Sequence, residues 1–273
     1  MTPQLCKPYK QSINVQNWLA EPKLDGNRGI VIIENGVAIS ISRHNKPMYN
    51  TENIKTHLLQ SGLNDVVLDG EFCISSTTDS WSQTTSILRT QTKHSNIDNL
   101  NFWVFDILPL QDWKNHSCQH NLAKRKNNLL SLIDIPFITI VKAEIVSDSP
   151  LDLLKKFTNL GFEGVVFKKP TSLYTYKRSS DWLKLKAITT AEYPIVNVLR
   201  GKGKYSKTTG SILISVNGVI VGVGTGMTDD DRNLIWSERD ELVGTYLEVS
   251  YQTKSKDGSL IFPVFQRIRY DLT

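Results

Sequence analysis

Lys23-Leu24-Asp25-Gly26-Asn27-Arg28 has the form K-x-D-G-x-R and runs straight into the β-branched segment Ile30-Val31-Ile32-Ile33. A lysine beside an aspartate, a glycine and an arginine, at the mouth of a strand, is equipped to act as a covalent nucleophile on a nucleoside phosphate. Four fixed positions at roughly one in twenty each would arise by chance in about two in a thousand chains of this length. The plain alternative is a surface turn with a salt bridge, and the surrounding sequence has to choose between the two.

Working outward, Ile30–Ile33 and Val37–Ile41 flank Glu34-Asn35-Gly36, and Asn-Gly is a strong hairpin signal. Ser42-Arg43 follows that hairpin. The patterning then predicts a short helix over Asn53–Leu59, a strand over Val66–Ile74 and a Ser/Thr-rich loop with some helix over Ser75–Gln91. A strand over Phe102–Leu108 is stopped by Pro109. Helical spacing covers Leu122–Ile133 and Leu151–Leu160, the second closed by Gly161. Gly164–Phe167 and Trp182–Leu185 read as short strands. After Lys186 the texture becomes almost all β. Tyr193–Leu199, Ser211–Val216, Val219–Val223, Tyr246–Tyr251 and Phe265–Tyr270 are five candidate strands, with an acidic helix over Thr228–Glu241. Five strands and one helix in so short a segment suit a small Greek-key barrel such as an OB-fold. The boundary falls near Ala187–Thr190.

Composition narrows the class. The chain has 273 residues and a formal net charge of +5, which suits two domains and is compatible with a polyanionic partner. From Ile188 onward basic and acidic residues balance, so the whole excess lies before that point. One local exception is Arg200-Gly-Lys-Gly-Lys-Tyr-Ser-Lys207, which is basic and acid-free. Gly201-Lys202-Gly203-Lys204 lacks the spacing of a phosphate-binding P-loop and reads as a flexible basic loop near the phosphates of a polyanion, or as an idle solvated one. Gly222-Val-Gly224-Thr-Gly226 reads as a bulge or tight turn. Cys6, Cys73 and Cys118 form neither a disulfide framework nor a zinc pair, and the five histidines lack ligand spacing. No apolar run approaches a membrane span, and Met1–Lys10 lacks the apolar core of a secretion signal. A cytoplasmic monomer is expected, with a previously cleaved leader left open.

Further charged segments fit one reaction. Leu68-Asp69-Gly70-Glu71 lies in a strand, and Phe102-Trp103-Val104-Phe105-Asp106 is aromatic and ends on an acid. Glu163-Gly164-Val165-Val166-Phe167-Lys168 brackets a strand with opposite charges. Trp182-Leu183-Lys184-Leu185-Lys186 alternates, which sets both lysines on one strand face. A lysine attacks phosphorus only when neutral, and at its ordinary pKa about one in two thousand is neutral at pH 7. Burial and neighbouring cations (Lys168, Lys184 and Lys186 are candidates) would push that pKa down, and the same cations would neutralise charge developing on the α-phosphate. Glu163 is a hard oxygen ligand suited to Mg²⁺.

In this order, K-x-D-G-x-R, S-R, D-G-E, F-D, E-G-V-V-x-K and L-K-L-K resemble the nucleotidyltransferase motifs of ATP-dependent DNA ligases. Phe262-Pro263-Val264-Phe265-Gln266-Arg267-Ile268-Arg269 resembles the last motif of their OB domain. The likeness runs from Glu21 to Asp271 and is nearest to minimal viral and bacterial ligases. It implies an α+β chain. Residues 1–187 would form an adenylyltransferase domain, ATP-grasp-like with antiparallel sheets and flanking helices. Residues 188–273 would form an OB-fold β-barrel domain. The implied activity is sealing of 3′-OH/5′-phosphate nicks in duplex DNA, with ATP and Mg²⁺ (or Mn²⁺), through a lysyl-AMP and a DNA-adenylate.

The resemblance also implies roles. Lys23 carries the AMP, and Asp25 helps place the attacking group during sealing. Arg28 and Arg43 contact AMP and the 5′-phosphate of the nick. Glu71 holds the ribose hydroxyls, Phe105 stacks on adenine, and backbone near Glu21 and Pro22 reads its edge. Arg267 and Arg269 grip pyrophosphate, and Lys202 and Lys204 are assigned to DNA phosphates. Within the superfamily, an RNA ligase or an mRNA capping guanylyltransferase is the alternative, although the F-P-x-F-x-R-x-R ending is typical of DNA ligases. With 22 residues before Lys23, no nicotinamide-recognition domain is expected. A non-catalytic OB-type binding protein would give no reason for Lys23, Glu71, Glu163 and Lys184 at these spacings. Short segments between the candidate OB strands predict that no long inserted hairpin encloses DNA.

Overall fold

A computed structural model describes residues 2–74, 80–130, 135–251, 253–255 and 257–272. The chain divides into two compact units, Met1–Lys186 and Ala187–Thr273.

In the first unit the strands are β1 (Leu5–Pro8), β2 (Leu19–Lys23), β3 (Asn27–Glu34), β4 (Val37–Ser42), β5 (Val66–Cys73), β6 (Asn101–Pro109), β7 (Ile138–Ile140), β8 (Glu144–Ile145), β9 (Gly164–Lys168) and β10 (Arg178–Lys186). The helices are α1 (Glu52–Gln60), α2 (Ser80–Arg89), α3 (Leu110–Lys114), α4 (Leu122–Leu129) and α5 (Pro150–Asn159). They build two five-stranded sheets, ordered β1-β10-β9-β2-β8 and β4-β3-β5-β6-β7. Each is antiparallel except for one pair, β1 with β10 and β6 with β7.

Strand alternation gives each sheet two faces. In the first sheet, Ala20, Val165, Phe167 and Leu183 pack against Leu153 and Phe157 of α5. The opposite face therefore carries Glu21, Lys23, Val166, Lys168, Lys184 and Lys186, because Glu21 pairs with Val166 and Lys184 pairs with Val166 across the ladders. In the second sheet, Val31, Ile33, Leu68, Phe72 and Val104 form a core with Ile54 and Leu58 of α1 and with Ile87 and Leu88 of α2. Its other face presents Arg28, Glu71 and Trp103, in register with one another.

Helix α2 occupies most of a segment expected to be chiefly loop. Its buried residues Ser80, Thr84, Ile87 and Leu88 share one helical face, which overrides the loop-like Ser/Thr composition. Residues 75–79 of that expected loop, and 131–134 of the helix expected to run to Ile133, lie outside the described residues. Strands β1, β2, β7 and β8 carry no periodicity that would have announced them. No helix among the described residues is long and apolar enough to cross a membrane.

The second unit holds β11 (Thr189–Arg200), β12 (Thr209–Val216), β13 (Val219–Val223), β14 (Tyr246–Tyr251), β15 (Thr253–Lys254), β16 (Leu260–Ile261), β17 (Val264–Arg269) and α6 (Asp229–Ser237). Five strands form one antiparallel sheet, β13-β12-β11-β14-β17, around a core that includes Ile195, Ile212, Ile214, Val223, Leu247, Val249 and Phe265. The expected β-barrel is not laddered shut among the described residues. A single parallel bridge between Thr225 and Val264 joins the segment after β13 to β17. Thr228 caps α6 through a capping box with Asp231, and this helix occupies the longest gap between the strands of that sheet.

Candidate active site

Lys23 ends β2, and the turn Leu24–Gly26 carries the chain across to the second sheet. That turn is pressed against β5: a Cβ on Gly26 would lie 2.3 Å from Cys73 Sγ and from Phe72 O, so only glycine fits. The backbone N–H of Glu163 donates to Lys23 O at 3.0 Å, which ties the start of β9 to the end of β2. A Cβ on Gly164 would lie 2.2 Å from Leu185 O, so glycine lets β9 run close beside Lys186.

The buried carboxylate of Glu163 is shared. Its Oε2 is ion-paired with Lys23 Nζ and its Oε1 with Lys186 Nζ. Burial pulls the Lys23 pKa down, but the charge of Glu163 and its hydrogen bond more than offset this, so the pKa stands above the ordinary lysine value. The expectation of a lysine already activated is thereby corrected: cations are present, but an acid in direct contact outweighs them. Burial, with Lys186 and Lys23 nearby, holds Lys184 below its usual value. Burial raises Glu71 to about 7 against the opposing pull of Lys23 and Arg28. Asp25 is half-buried and acts electrostatically on Cys73, as do Glu71 and Lys23.

A second buried cluster lies further along the same sheet face. Glu21 receives Lys168 at 2.6 Å on one oxygen and Lys126 on the other. Lys168, its pKa lowered by burial, also stands 4.1 Å from the centre of the Phe105 ring and 4.0 Å from that of Trp182. Arg28 comes within 4.5 Å of the Phe105 ring centre. Phe105 is thus a buried aromatic between two cations.

Arg28 directs its fork at Asp69, with both contacts at 2.6 Å, and donates to Gln4 O at 3.1 Å. The Tyr174 hydroxyl donates to the same carboxylate at 2.6 Å. Asp106 is bound by the Arg125 fork at 2.7 and 2.9 Å, entirely inside the protein. Arg43 sits on the exposed turn after β4, with Nε 3.0 Å from His44 Nε2. In the second unit, Lys204 pairs with Asp229 at 2.8 Å, Arg267 with Glu248 at 2.7 Å, and Arg269 with Glu192 at 2.6 Å and Asp271 at 2.8 Å. Lys202 is exposed.

Lys23, Glu163, Lys186, Lys184 and Glu71 are therefore brought together, while Glu21, Lys168 and Phe105 make a separate cluster. Lys126, Arg125 and Tyr174 escaped the sequence reading. The available signal was the need of each acid in D-G-E and F-D for a buried donor, which does not say where the donor lies.

The arrangement is a lysine held beside acids and further cations at the junction of two sheets. A family model for the ATP dependent DNA ligase domain matches residues 3–186, and one for the DNA ligase OB-like domain matches residues 200–269. The chain belongs to the ATP-dependent DNA ligase family. It is 28% identical over 293 residues to the multifunctional non-homologous end joining protein LigD of Mycolicibacterium smegmatis, covering 94% of this chain but 37% of that protein. It is 24% identical to a DNA ligase of Haemophilus influenzae, over 93% of this chain and 87% of that protein. A solved Lig E DNA ligase, 24% identical, shares the fold with a TM-score of 0.75 over 98% of this chain and 99% of that one. This DNA ligase family member is thus an ATP-using enzyme with a nucleotidyltransferase domain and an OB-like domain.

Proposed function

We propose that this ligase seals 3′-OH/5′-phosphate nicks in duplex DNA in three steps. First, neutral Lys23 Nζ attacks the α-phosphorus of ATP. A P–N bond forms, the bond to the β-phosphate oxygen breaks, and pyrophosphate leaves. Second, the 5′-phosphate of the nick displaces Lys23 and takes the AMP. Third, the 3′-hydroxyl attacks that 5′-phosphorus, closing the backbone and releasing AMP. The observation that carries this reading is the Lys23–Glu163–Lys186 arrangement.

The attack requires the ammonium to lose its proton, so Glu163 has to be drawn away from Lys23 as ATP enters. Mg²⁺ (or Mn²⁺) fits that demand. It accepts one or two carboxylates and completes its shell with water and substrate phosphates. Among the described residues no cluster of three metal-ligating side chains exists, so a metal held by Glu163 would arrive with the triphosphate. Bound there, it would draw charge from the phosphates. Lys184 and Lys186, on the same strand face, would stabilise the charge growing on the α-phosphate. Glu71 would receive the ribose, and Phe105 the adenine once its cations shift. Asp25 would help place the attacking group, Arg28 and Arg43 would serve the AMP and the nick phosphate, and Arg267 and Arg269 the pyrophosphate. Lys202 and Lys204 would grip DNA phosphates. The reading includes a monomer in a reducing cytoplasm, consistent with free Cys6, Cys73 and Cys118.

Matched DNA/DNA, DNA/RNA and RNA/RNA nicks sealed side by side test the proposal. Preferential sealing of the DNA/DNA nick supports it, and sealing confined to RNA nicks would replace it with RNA ligation.

A further inference from the structure

The basic run Arg200–Lys207 is built rather than floppy. It leaves β11 and enters β12 at Thr209. Gly201 N–H donates to Thr208 O at 3.0 Å, Tyr205 N–H to Lys202 O at 3.1 Å, and Thr208 N–H to Tyr205 O at 3.2 Å. The packing beneath is close enough that a Cβ on Gly201 would lie 2.4 Å from Tyr205 Cβ, and one on Gly210 would lie 2.5 Å from Gly201 Cα.

Helix α6 grips this run at three points. Asp229 pairs with Lys204. The Arg232 guanidinium lies 4.2 Å from the centre of the Tyr205 ring. The Arg200 guanidinium lies 5.2 Å from that of Trp236. Positions 229, 232 and 236 share one helical face.

Arg232 is the informative member. It is buried, and no carboxylate lies in ion-pair range of it among the described residues. Its fork instead donates to Thr209 O at 2.7 Å, Gly210 O at 3.0 Å and Gly224 O at 2.7 Å, which ties the start of β12, where the run ends, to the end of β13. Carbonyl dipoles and an aromatic face offset part of the cost of burying a cation. The positive charge nevertheless sits behind a run that already carries Arg200, Lys202, Lys204 and Lys207. Concentrating like charges is unfavourable in the free protein and becomes favourable against a polyanion.

We infer that α6 holds the run Arg200–Lys207 in a fixed shape that presents its lysines to consecutive phosphates of duplex DNA, with Arg232 and Tyr205 as the positioning pair. The inference rests on the nick-sealing reading and on the assignment of Lys202 and Lys204 to DNA.

The test is binding of the full chain to a nicked duplex at several salt concentrations. Tyr205→Leu keeps apolar bulk but removes the ring that Arg232 faces, and Tyr205→Phe keeps the ring. Tyr205→Leu should weaken binding and flatten the plot of log affinity against log salt by about one to two units, as loss of one or two phosphate contacts would. Tyr205→Phe should match the unaltered chain. In a K202A/K204A background, Tyr205→Leu should add nothing. Flattening by K202A/K204A together with an unchanged slope in Tyr205→Leu overturns the positioning role while leaving the DNA assignment standing. So does an additive effect of Tyr205→Leu on top of K202A/K204A. An unchanged slope in K202A/K204A itself removes the assignment and the inference with it. Failure of the unaltered chain to bind the nick at all would defeat the ligase reading instead.

Discussion

Lys23 Nζ is ion-paired with Glu163, 140 positions further along the chain, and this contact raises the Lys23 pKa above the ordinary lysine value. On the proposed mechanism the pair would hold the Lys23 amine in reserve until ATP enters.

Glu163→Gln removes the charge that raises the Lys23 pKa. Labelling of Lys23 by trinitrobenzenesulfonate, followed by peptide mapping, reads the neutral amine directly. In the unaltered chain the rate should climb about tenfold per pH unit below the raised pKa. At any pH from 7 to 8, Glu163→Gln should label faster. Equal rates would show that Glu163 does not control the protonation of Lys23.

Glu71 is raised from 4.5 to about 7 by burial. The folded carboxyl therefore holds a proton that the unfolded chain releases between those values, and stability falls as pH rises through that window. Glu71→Gln cannot ionise. Its melting temperature should fall less between pH 5 and pH 8 than that of the unaltered chain, measured by calorimetry. Identical falls would place the Glu71 carboxyl near its ordinary value.

Arg125 and Asp106 form a fully buried bidentate pair that fastens α4 to β6. Arg125→Ala would leave a carboxylate buried without its partner, at a cost of about 3–5 kcal/mol. Urea unfolding checks this, and a loss below about 1 kcal/mol would mean that water replaces the arginine.

The strands that bear Asp69, Glu71, Phe105, Lys168, Lys184 and Lys186 were legible because alternation and turn residues are local signals. Ion pairing is not local. Nothing near Glu21 announces Lys126, and nothing near Asp106 announces Arg125, because a charged residue in a helix looks solvated until the fold buries it. The protonated state of Lys23 was misjudged for the same reason: the sequence supplies cations and acids alike, and only contact decides which prevails. Strand β1 was missed because it is short, ends in Pro8 and pairs in parallel with a strand some 170 residues away.

Arg43 stands on an exposed turn, outside the Lys23–Glu163 cluster. Arg43→Glu should load AMP normally yet transfer it poorly to a 5′-phosphate, as resolved by single-turnover assays of each step. Equal loss of both steps would make Arg43 a structural residue.

The most direct measurement is incubation with α-labelled ATP, or GTP in parallel, followed by denaturation and mass mapping of the adduct. AMP should be found on Lys23, from ATP alone, and Lys23→Ala should remain folded and take no label while retaining some sealing of a pre-adenylylated nick. An AMP adduct formed by Lys23→Ala, or preferential label from GTP, would contradict the assignment of Lys23 as the ligase nucleophile.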